Sequence, residues 1–418
     1  MTAFDTSAPL LPEILSLHGK WKGNKPAIIC NDMQISWRRF DEETNRIANA
    51  LLNDNIGPGC TVGVVMSNGL EMIEVLVGII KSGACSVPIN LSVSDDALSA
   101  MLEDSGAKII FATEEQQDRL HQFKTKYPDA SIIAVGGSYE EFKAAGNPQK
   151  PQVAIDGDAP LNIIYSSGTT GTPKGIVHNH KGRRDWAYDL SIALRYHSAS
   201  RTLITIGMYS NISWVGMLCT LLTGGTLVIH KTFDPLAALE AIETHQITNF
   251  AMVPIQLQRI LEASRQSDHN ISTVSAIMSC GSPLHALLKA DLFKLFGPTT
   301  VTELFGLTEG IITTLDPEDA DGRMASVGKP LIGTDIKIIG DDDNEVSAGN
   351  SGEIVGCGRI IMPGYLNRPD ATAEATWIDP EGKAWLRTGD IGRIDQDGYL
   401  YIVDRKKDMI LSGGQNIY

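Results

Sequence analysis

Residues Tyr165 to Gly175 read Tyr-Ser-Ser-Gly-Thr-Thr-Gly-Thr-Pro-Lys-Gly. Hydroxyls from Ser167, Thr169, Thr170 and Thr172 stand among free backbone N–H groups, a combination that can ring an oxyanion. Gly168 and Gly171 allow unusual backbone angles and close approach of a ligand, and Lys174 adds positive charge at the rim. This is a phosphate cradle by chemistry. It is not the G-x-x-x-x-G-K-[ST] loop, because Gly175 follows the lysine where a magnesium-binding hydroxyl would stand. Leu161–Ile164 before it reads as a buried strand and Ile176-Val177-His178 after it as another, so the cradle is a loop with little help from a helix dipole. A plain Ser/Thr/Gly surface loop is the competing reading, and the lysine and paired glycines behind a buried strand disfavour it.

Three further clusters suit a nucleotide lying across that loop. Ser279-Cys280-Gly281-Ser282-Pro283-Leu284 is a small-residue turn after apolar Ala276-Ile277-Met278, suited to letting a flat base approach backbone. Thr302-Glu303-Leu304-Phe305-Gly306-Leu307-Thr308-Glu309 offers Phe305 as a stacking face, worth about 1–3 kcal/mol for a base. It also offers Glu309 as a hard oxygen ligand fit for magnesium. Arg387-Thr388-Gly389-Asp390 sets a carboxylate beside a glycine, where its oxygens can accept from a ribose diol. Singly each is weak, since Asp390 alone suits a turn and Phe305 alone suits a core.

The chain that must position these groups has 418 residues, enough for two or three packed units. Its 43% hydrophobic and 20% charged residues are those of a globular protein. A net charge of −15 argues against nucleic-acid and anionic-membrane partners. Six cysteines without a C-x-x-C pair read as small buried residues of a reducing, cytoplasmic protein. Met1 to Pro12 shows no export signal. Thr202 to Ile229 carries no charge, yet Asn211 and Gly224-Gly225 interrupt it, so a buried helix and strand are expected there and no transmembrane segment.

Pro26 to Ile35 reads as a hairpin and Phe40 to Leu52 as an amphipathic helix closed by Gly57-Pro58-Gly59. Val62–Met66, Ser86–Ile89, Lys108–Ala112 and Ser131–Val135 read as strands, with a helix from Glu71 to Lys81. Strands alternating with helices predict an α/β fold of two packed, parallel-type sheets with helical layers. Helix, glycine, strand recurs at Glu71–Pro88 and Trp214–Ile229, one copy for each sheet. From Gly328 short strands separated by Gly, Asp and Pro predict a small β-barrel region, with Asp341-Asp342-Asp343-Asn344 as a solvated turn.

Together and in this order the clusters resemble the adenylate-forming superfamily: acyl-CoA synthetases, non-ribosomal peptide adenylation domains and beetle luciferases. The resemblance runs from about Ile28 to the last residue. It implies that Ser166 to Gly175, including Lys174, binds ATP phosphates, that Gly281, Ser282 and Phe305 hold adenine, and that Pro283, Glu303, Leu304 and Gly306 belong to the same cofactor-binding set. Phe305 stands where tyrosine is usual. Thr308 is implied to contact phosphate and substrate carboxylate, Glu309 to bind Mg2+, and Asp390 and Arg405 to hold ribose. Gly352-Glu353-Ile354 through Gly364-Tyr365-Leu366-Asn367-Arg368-Pro369 is a family hallmark that reads as mainly structural.

The implied reaction joins a carboxylic acid to ATP as acyl-adenylate and then to the thiol of CoA, with no catalytic triad needed. Loading of a carrier-protein thiol, or nucleotide binding without turnover, are the alternatives. Tyr209, Ser210, Asn211, Trp214, Met252, Val253, Pro254, Gly306, Leu307 and Ile312 are expected to line an acyl pocket without Asp or Arg, hence for a fatty or other hydrophobic acid. Ser210 stands where a histidine is common, and Trp214 aligns with a tunnel-gating tryptophan as well as suiting a core. Residues 1–403 are expected to form the large N-terminal domain, with 324–403 its β-rich part. Residues 404–418 are expected to be a hinge, Lys407 at its pivot, and the stub of a C-terminal domain absent from this chain. A fragment so cut is expected to bind nucleotide but turn over poorly.

Overall fold

The computed structural model describes residues 8–166, 173–405, 410–412 and 415–417. Two large sheets and a smaller one carry the fold. The nine-stranded sheet has at its centre a parallel run: Pro26–Cys30, Thr226–Ile229, Arg201–Ile204, Asn249–Met252, Ala276–Ser279 and Val301–Gly306. Antiparallel strands close both edges. The seven-stranded sheet is parallel through Pro160–Ser166, Cys85–Pro88, Thr61–Val65, Ile109–Ala112 and Ser131–Ala134. At its other edge Lys174–Asn179 folds back antiparallel on Pro160–Ser166, and Gly364–Tyr365 pairs outside it. The expected two-sheet α/β architecture is therefore present.

The β-rich region is a five-stranded antiparallel sheet, a half-barrel rather than a closed barrel. Its strand Ala384–Ile394 carries Thr388-Gly389-Asp390 in a bulge, where the pairing with Gly352–Gly358 shifts register and Gly389 has φ 71°. Asp341–Asn344 is an exposed turn with Asp343 at φ 59°.

The two helix–glycine–strand repeats fall one in each sheet. Helix Leu70–Ser82 ends at Gly83 before Cys85–Pro88, and helix Asn211–Thr223 ends at Gly224 before Thr226–Ile229. Both helices are buried nearly all round, and one continuous apolar core includes Leu76, Ile79, Trp214 and Leu218. Such helices lie between layers, as all-round hydrophobic helices must. No helix among the described residues is long and apolar enough to cross a membrane.

Both ends of helix Asn211–Thr223 are pinned. Ser210 caps its start, accepting from the Ile212 N–H at 3.4 Å. At its end, carbonyls of Leu222, Thr223 and Gly224 take bonds from His18, Lys22 and Lys25 at 2.8–2.9 Å. Cations at a helix C-terminus oppose the partial negative charge collected there. The first helix, Leu11–Trp21, and the residues following it thus hold an element some 200 residues away in sequence.

His180 opens helix His180–Ala193 and is fully buried, and among the described residues neither ring nitrogen meets a partner. Burial lowers its pKa to about 4. The unfolded chain binds a proton near the ordinary value of 6.5, whereas the folded chain resists it. Above that value the residue is neutral in both states and contributes nothing to pH dependence. As pH falls from 6.5 toward 4, stability is lost. Urea unfolding is expected to show about 2 kcal/mol less stability at pH 5 than at pH 7 from this residue. His180→Leu should flatten that slope.

Candidate active site

Ligand sites in open α/β sheets form outside the carboxyl ends of parallel strands. Four neighbouring strands of the nine-stranded sheet deliver sequence-predicted residues there. Arg201–Ile204 leads to Tyr209 and Ser210, Asn249–Met252 to Val253, Ala276–Ser279 to Gly281, and Val301–Gly306 to Thr308 and Glu309. The first and third of these motifs converge on the second: a Cβ on Gly281 (φ 90°) would meet Val253 Cγ1 at 3.2 Å and Ile212 Cδ1 at 3.4 Å. Gly281 and Pro283 are exposed and Ser282 half-buried, leaving the turn open to a planar ligand.

Gly306 pairs with Ile312 across the hairpin, and the Leu307 N–H donates to Ile311 O at 3.0 Å. Phe305 is half-buried against the cluster containing Ile311. The following turn is locked from outside. The Glu309 carbonyl accepts from the Met362 N–H at 2.8 Å. Gly310 (φ 117°) lies so close to the Ile360 carbonyl that a Cβ would overlap it.

Glu309 is half-buried, and its Oε1 accepts from the Tyr365 hydroxyl at 2.8 Å. Burial raises its pKa, opposed by the Tyr365 bond, a backbone N–H and the attraction of Lys174. Lys174 Nζ stands 5.2 Å from the centroid of the Tyr365 ring, within cation–π range. On the hairpin, Ser166 pairs with Lys174 and so closes the mouth of the loop between them. The loop residues Ser167, Gly168, Thr169, Thr170, Gly171 and Thr172 lie outside the described residues, as does Lys407. Asp390 is buried and faces Arg405 across a strand pair; the Arg405 side chain lies outside the description. Glu353 of the Gly-Glu-Ile hallmark braces this strand, its carboxylate accepting from Arg387 Nη1 at 2.9 Å and from the Gly389 N–H at 3.2 Å.

Among the described residues no group of three His, Cys, Asp or Glu side chains could cage a metal. A single half-buried carboxylate, Glu309, fits the chemistry of Mg2+, which is commonly held by one or two carboxylates and substrate phosphates.

The profile of the AMP-binding enzyme family matches residues 18–366. The chain belongs to that family. Feruloyl-CoA synthase of an Amycolatopsis species is 31% identical over 92% of this chain and 76% of that protein. Long-chain-fatty-acid–CoA ligase FadD13 of Mycobacterium tuberculosis is 30% identical over 93% of this chain and 76% of that one. The inhibitor-bound N-terminal domain of FACL13 from Mycobacterium tuberculosis superposes with a TM-score of 0.87 at 27% identity, covering 95% of this chain and 100% of that chain. The chain is thus a ligase of the adenylate-forming kind, with the fold of the N-terminal domain of acyl-CoA ligases.

Three residues expected at the ligand surface of this AMP-binding enzyme pack toward the core. Glu303 is buried, paired with Lys289 Nζ at 2.5 Å, and its Oε1 accepts from the Leu284 N–H at 2.9 Å. Its carboxylate is thus spent inside the fold, where it fixes the end of the Gly281–Leu284 turn. Leu304 beside it packs on the core. Trp214 is fully buried, its indole N–H on the Met208 carbonyl at 2.9 Å, with the Arg183 guanidinium over its ring. Its side chain packs in the core.

Other positioning residues escaped the sequence reading. Asn68, from the seven-stranded sheet's side, donates to Ile206 O at 2.9 Å and His230 O at 3.2 Å and accepts from the Met208 N–H at 2.8 Å. It thereby sets the approach to Tyr209, which is half-buried. Arg183 is fully buried behind Trp214, its Nε on Asn162 Oδ1 at 2.9 Å; burial lowers its pKa to about 9. An arginine thus stands one layer behind the apolar positions. A lone Asn or Arg gives no sequence signal, and only the packing of the layers exposes these roles.

Removing one partner of a buried ion pair leaves an uncompensated charge, a loss of about 3–5 kcal/mol. Lys289→Met is therefore expected to lower stability in urea by that amount and to weaken ATP binding by loosening the Gly281 turn. Unchanged unfolding would show that the Lys289–Glu303 pair carries no such load.

Proposed function

We propose that this ligase activates a hydrophobic, fatty or aryl, carboxylic acid with MgATP and transfers the acyl group to CoA. A carboxylate oxygen attacks the α-phosphorus and pyrophosphate leaves. The CoA thiolate then attacks the acyl carbonyl, and AMP leaves with the oxygen that the acid supplied. The observation that carries this reading is the meeting of Glu309 and Lys174 on one tyrosine at the mouth of the Ser166–Lys174 loop.

In this reading Lys174 and the Ser166–Thr172 loop bind the phosphates, and Thr308 contacts both phosphate and carboxylate. Glu309 would hold Mg2+, which when bound would supply charge neutralisation at the phosphates. The open Gly281–Pro283 turn and Phe305 receive adenine, and Asp390 with Arg405 receives ribose. Catalysis is then positioning and charge neutralisation. The apolar neighbours Ile212, Val253, Leu307 and Ile312 favour an apolar acyl group, and Asn211 brings a buried amide oxygen without a partner among the described residues. Ser210, spent as a helix cap, leaves acid–base work to none of these side chains.

Acid-dependent pyrophosphate release, measured on the full-length protein across aliphatic, aryl and amino acids with and without CoA, tests this reading. Fatty or aryl acids should give signal that rises with CoA. Glu309→Gln is expected to lower the rate by about 10²–10³, as loss of a preorganised charge-stabilising group does. Release indifferent to CoA would instead indicate loading of a carrier-protein thiol, and silence across the panel would contradict adenylation.

A further inference from the structure

We propose that Tyr365 is a positioning residue for adenylation, its hydroxyl aiming the Glu309 carboxylate and its ring seating the Lys174 ammonium. The role rests on the reading of Glu309 and Lys174 given above. Three observations carry it. The backbone of Tyr365 belongs to the loop-bearing sheet, where it pairs with Ile176, two residues beyond Lys174. Its neighbour Leu366 donates to the Gly175 carbonyl at 2.7 Å, and its own N–H donates to Thr372 Oγ1 at 3.0 Å. So fixed, the side chain reaches out of one sheet to the turn that follows a strand of the other, 56 residues away in sequence.

The chemistry separates into two parts. The hydroxyl donates to one oxygen of Glu309 at 2.8 Å. A carboxylate oriented in this way presents its remaining lone pairs to a hard cation in a fixed direction, the usual service of a residue one step behind a metal ligand. The ring face receives Lys174 at 5.2 Å, which restrains a long flexible cation whose three donors would otherwise sample many positions. A phenylalanine would keep the strand pairing and the ring but could not hold the carboxylate. A leucine would lose both.

The test uses the full-length protein and Mn2+ as the probe, titrated by electron paramagnetic resonance in the presence of α,β-methylene-ATP, which cannot release pyrophosphate. Tyr365→Phe is expected to weaken Mn2+ binding about tenfold or more. In the acid-dependent assay the Mg2+ concentration for half-maximal rate should rise by a similar factor, and the deficit should shrink as Mg2+ is raised. Tyr365→Leu should add a higher KM for ATP, reporting the loss of the Lys174 seat. In a Glu309→Gln background, Tyr365→Phe should cost little more. Unchanged Mn2+ affinity in Tyr365→Phe, or a rate lowered equally at every Mg2+ concentration, would overturn the positioning role. Mn2+ binding insensitive to Glu309→Gln would instead overturn the metal-site reading beneath it.

Discussion

The Tyr365 hydroxyl on the Glu309 carboxylate is the contact that joins the edge of the seven-stranded sheet to a turn of the nine-stranded sheet. Lys174 arrives on the edge hairpin of the seven-stranded sheet, Glu309 on the turn beyond a strand of the nine-stranded sheet, and Tyr365 on a two-residue strand added outside the hairpin. None of the three elements could bring a cation and a carboxylate together alone. The turn carrying Glu309 is held from behind as well, by the Met362 N–H and by a backbone approach at Gly310 that leaves no room for a side chain. The run from Ile360 to Leu366 therefore clamps one sheet's turn and the other sheet's hairpin at once.

The rest of the structure keeps those parts in register. Two largely buried helices, Leu70–Ser82 and Asn211–Thr223, contribute to one apolar core shared by both sheets. Polar contacts then refine the alignment where chain ends meet the site. Asn68 ties the approach to Tyr209, Glu303 and Lys289 brace the Gly281 turn from below, and Glu353 with Arg387 braces the strand carrying Asp390. Each is a buried or half-buried polar group satisfied by backbone or by an opposite charge, as the low dielectric of an interior demands. Side chains that could face a nucleotide are thereby left with preset directions.

Local pattern in the sequence was enough for the sheets, the paired helix–glycine–strand units and the two strands that flank the Ser166–Lys174 loop. Strand and helix periodicity are properties of neighbouring residues, and Ile28, Val64 or Leu227 declare their burial by their neighbours. Motif order was enough to bring Lys174, Gly281, Thr308, Glu309 and Asp390 to attention. The burial of Glu303 and Trp214 was not legible, because position within a motif does not say which way a side chain leaves its strand or helix. The strand Val301–Gly306 begins buried on both faces, so Glu303 is enclosed against Lys289, and Trp214 sits in the buried stretch of helix Asn211–Thr223. Tyr365 was hidden for the opposite reason: its partners are distant in sequence, and its own run looks like a turn that serves only the fold.

The most direct measurement of the central claim follows the acid's oxygen. With both carboxylate oxygens labelled with 18O and CoA present, adenylation followed by thiolysis must leave one labelled oxygen on AMP and none on pyrophosphate. Mass spectrometry of the products should find AMP heavier by a single 18O for each thioester formed. Unlabelled AMP, or label in inorganic phosphate with ADP as the nucleotide product, would mean that the carboxylate does not attack the α-phosphorus and would contradict the account.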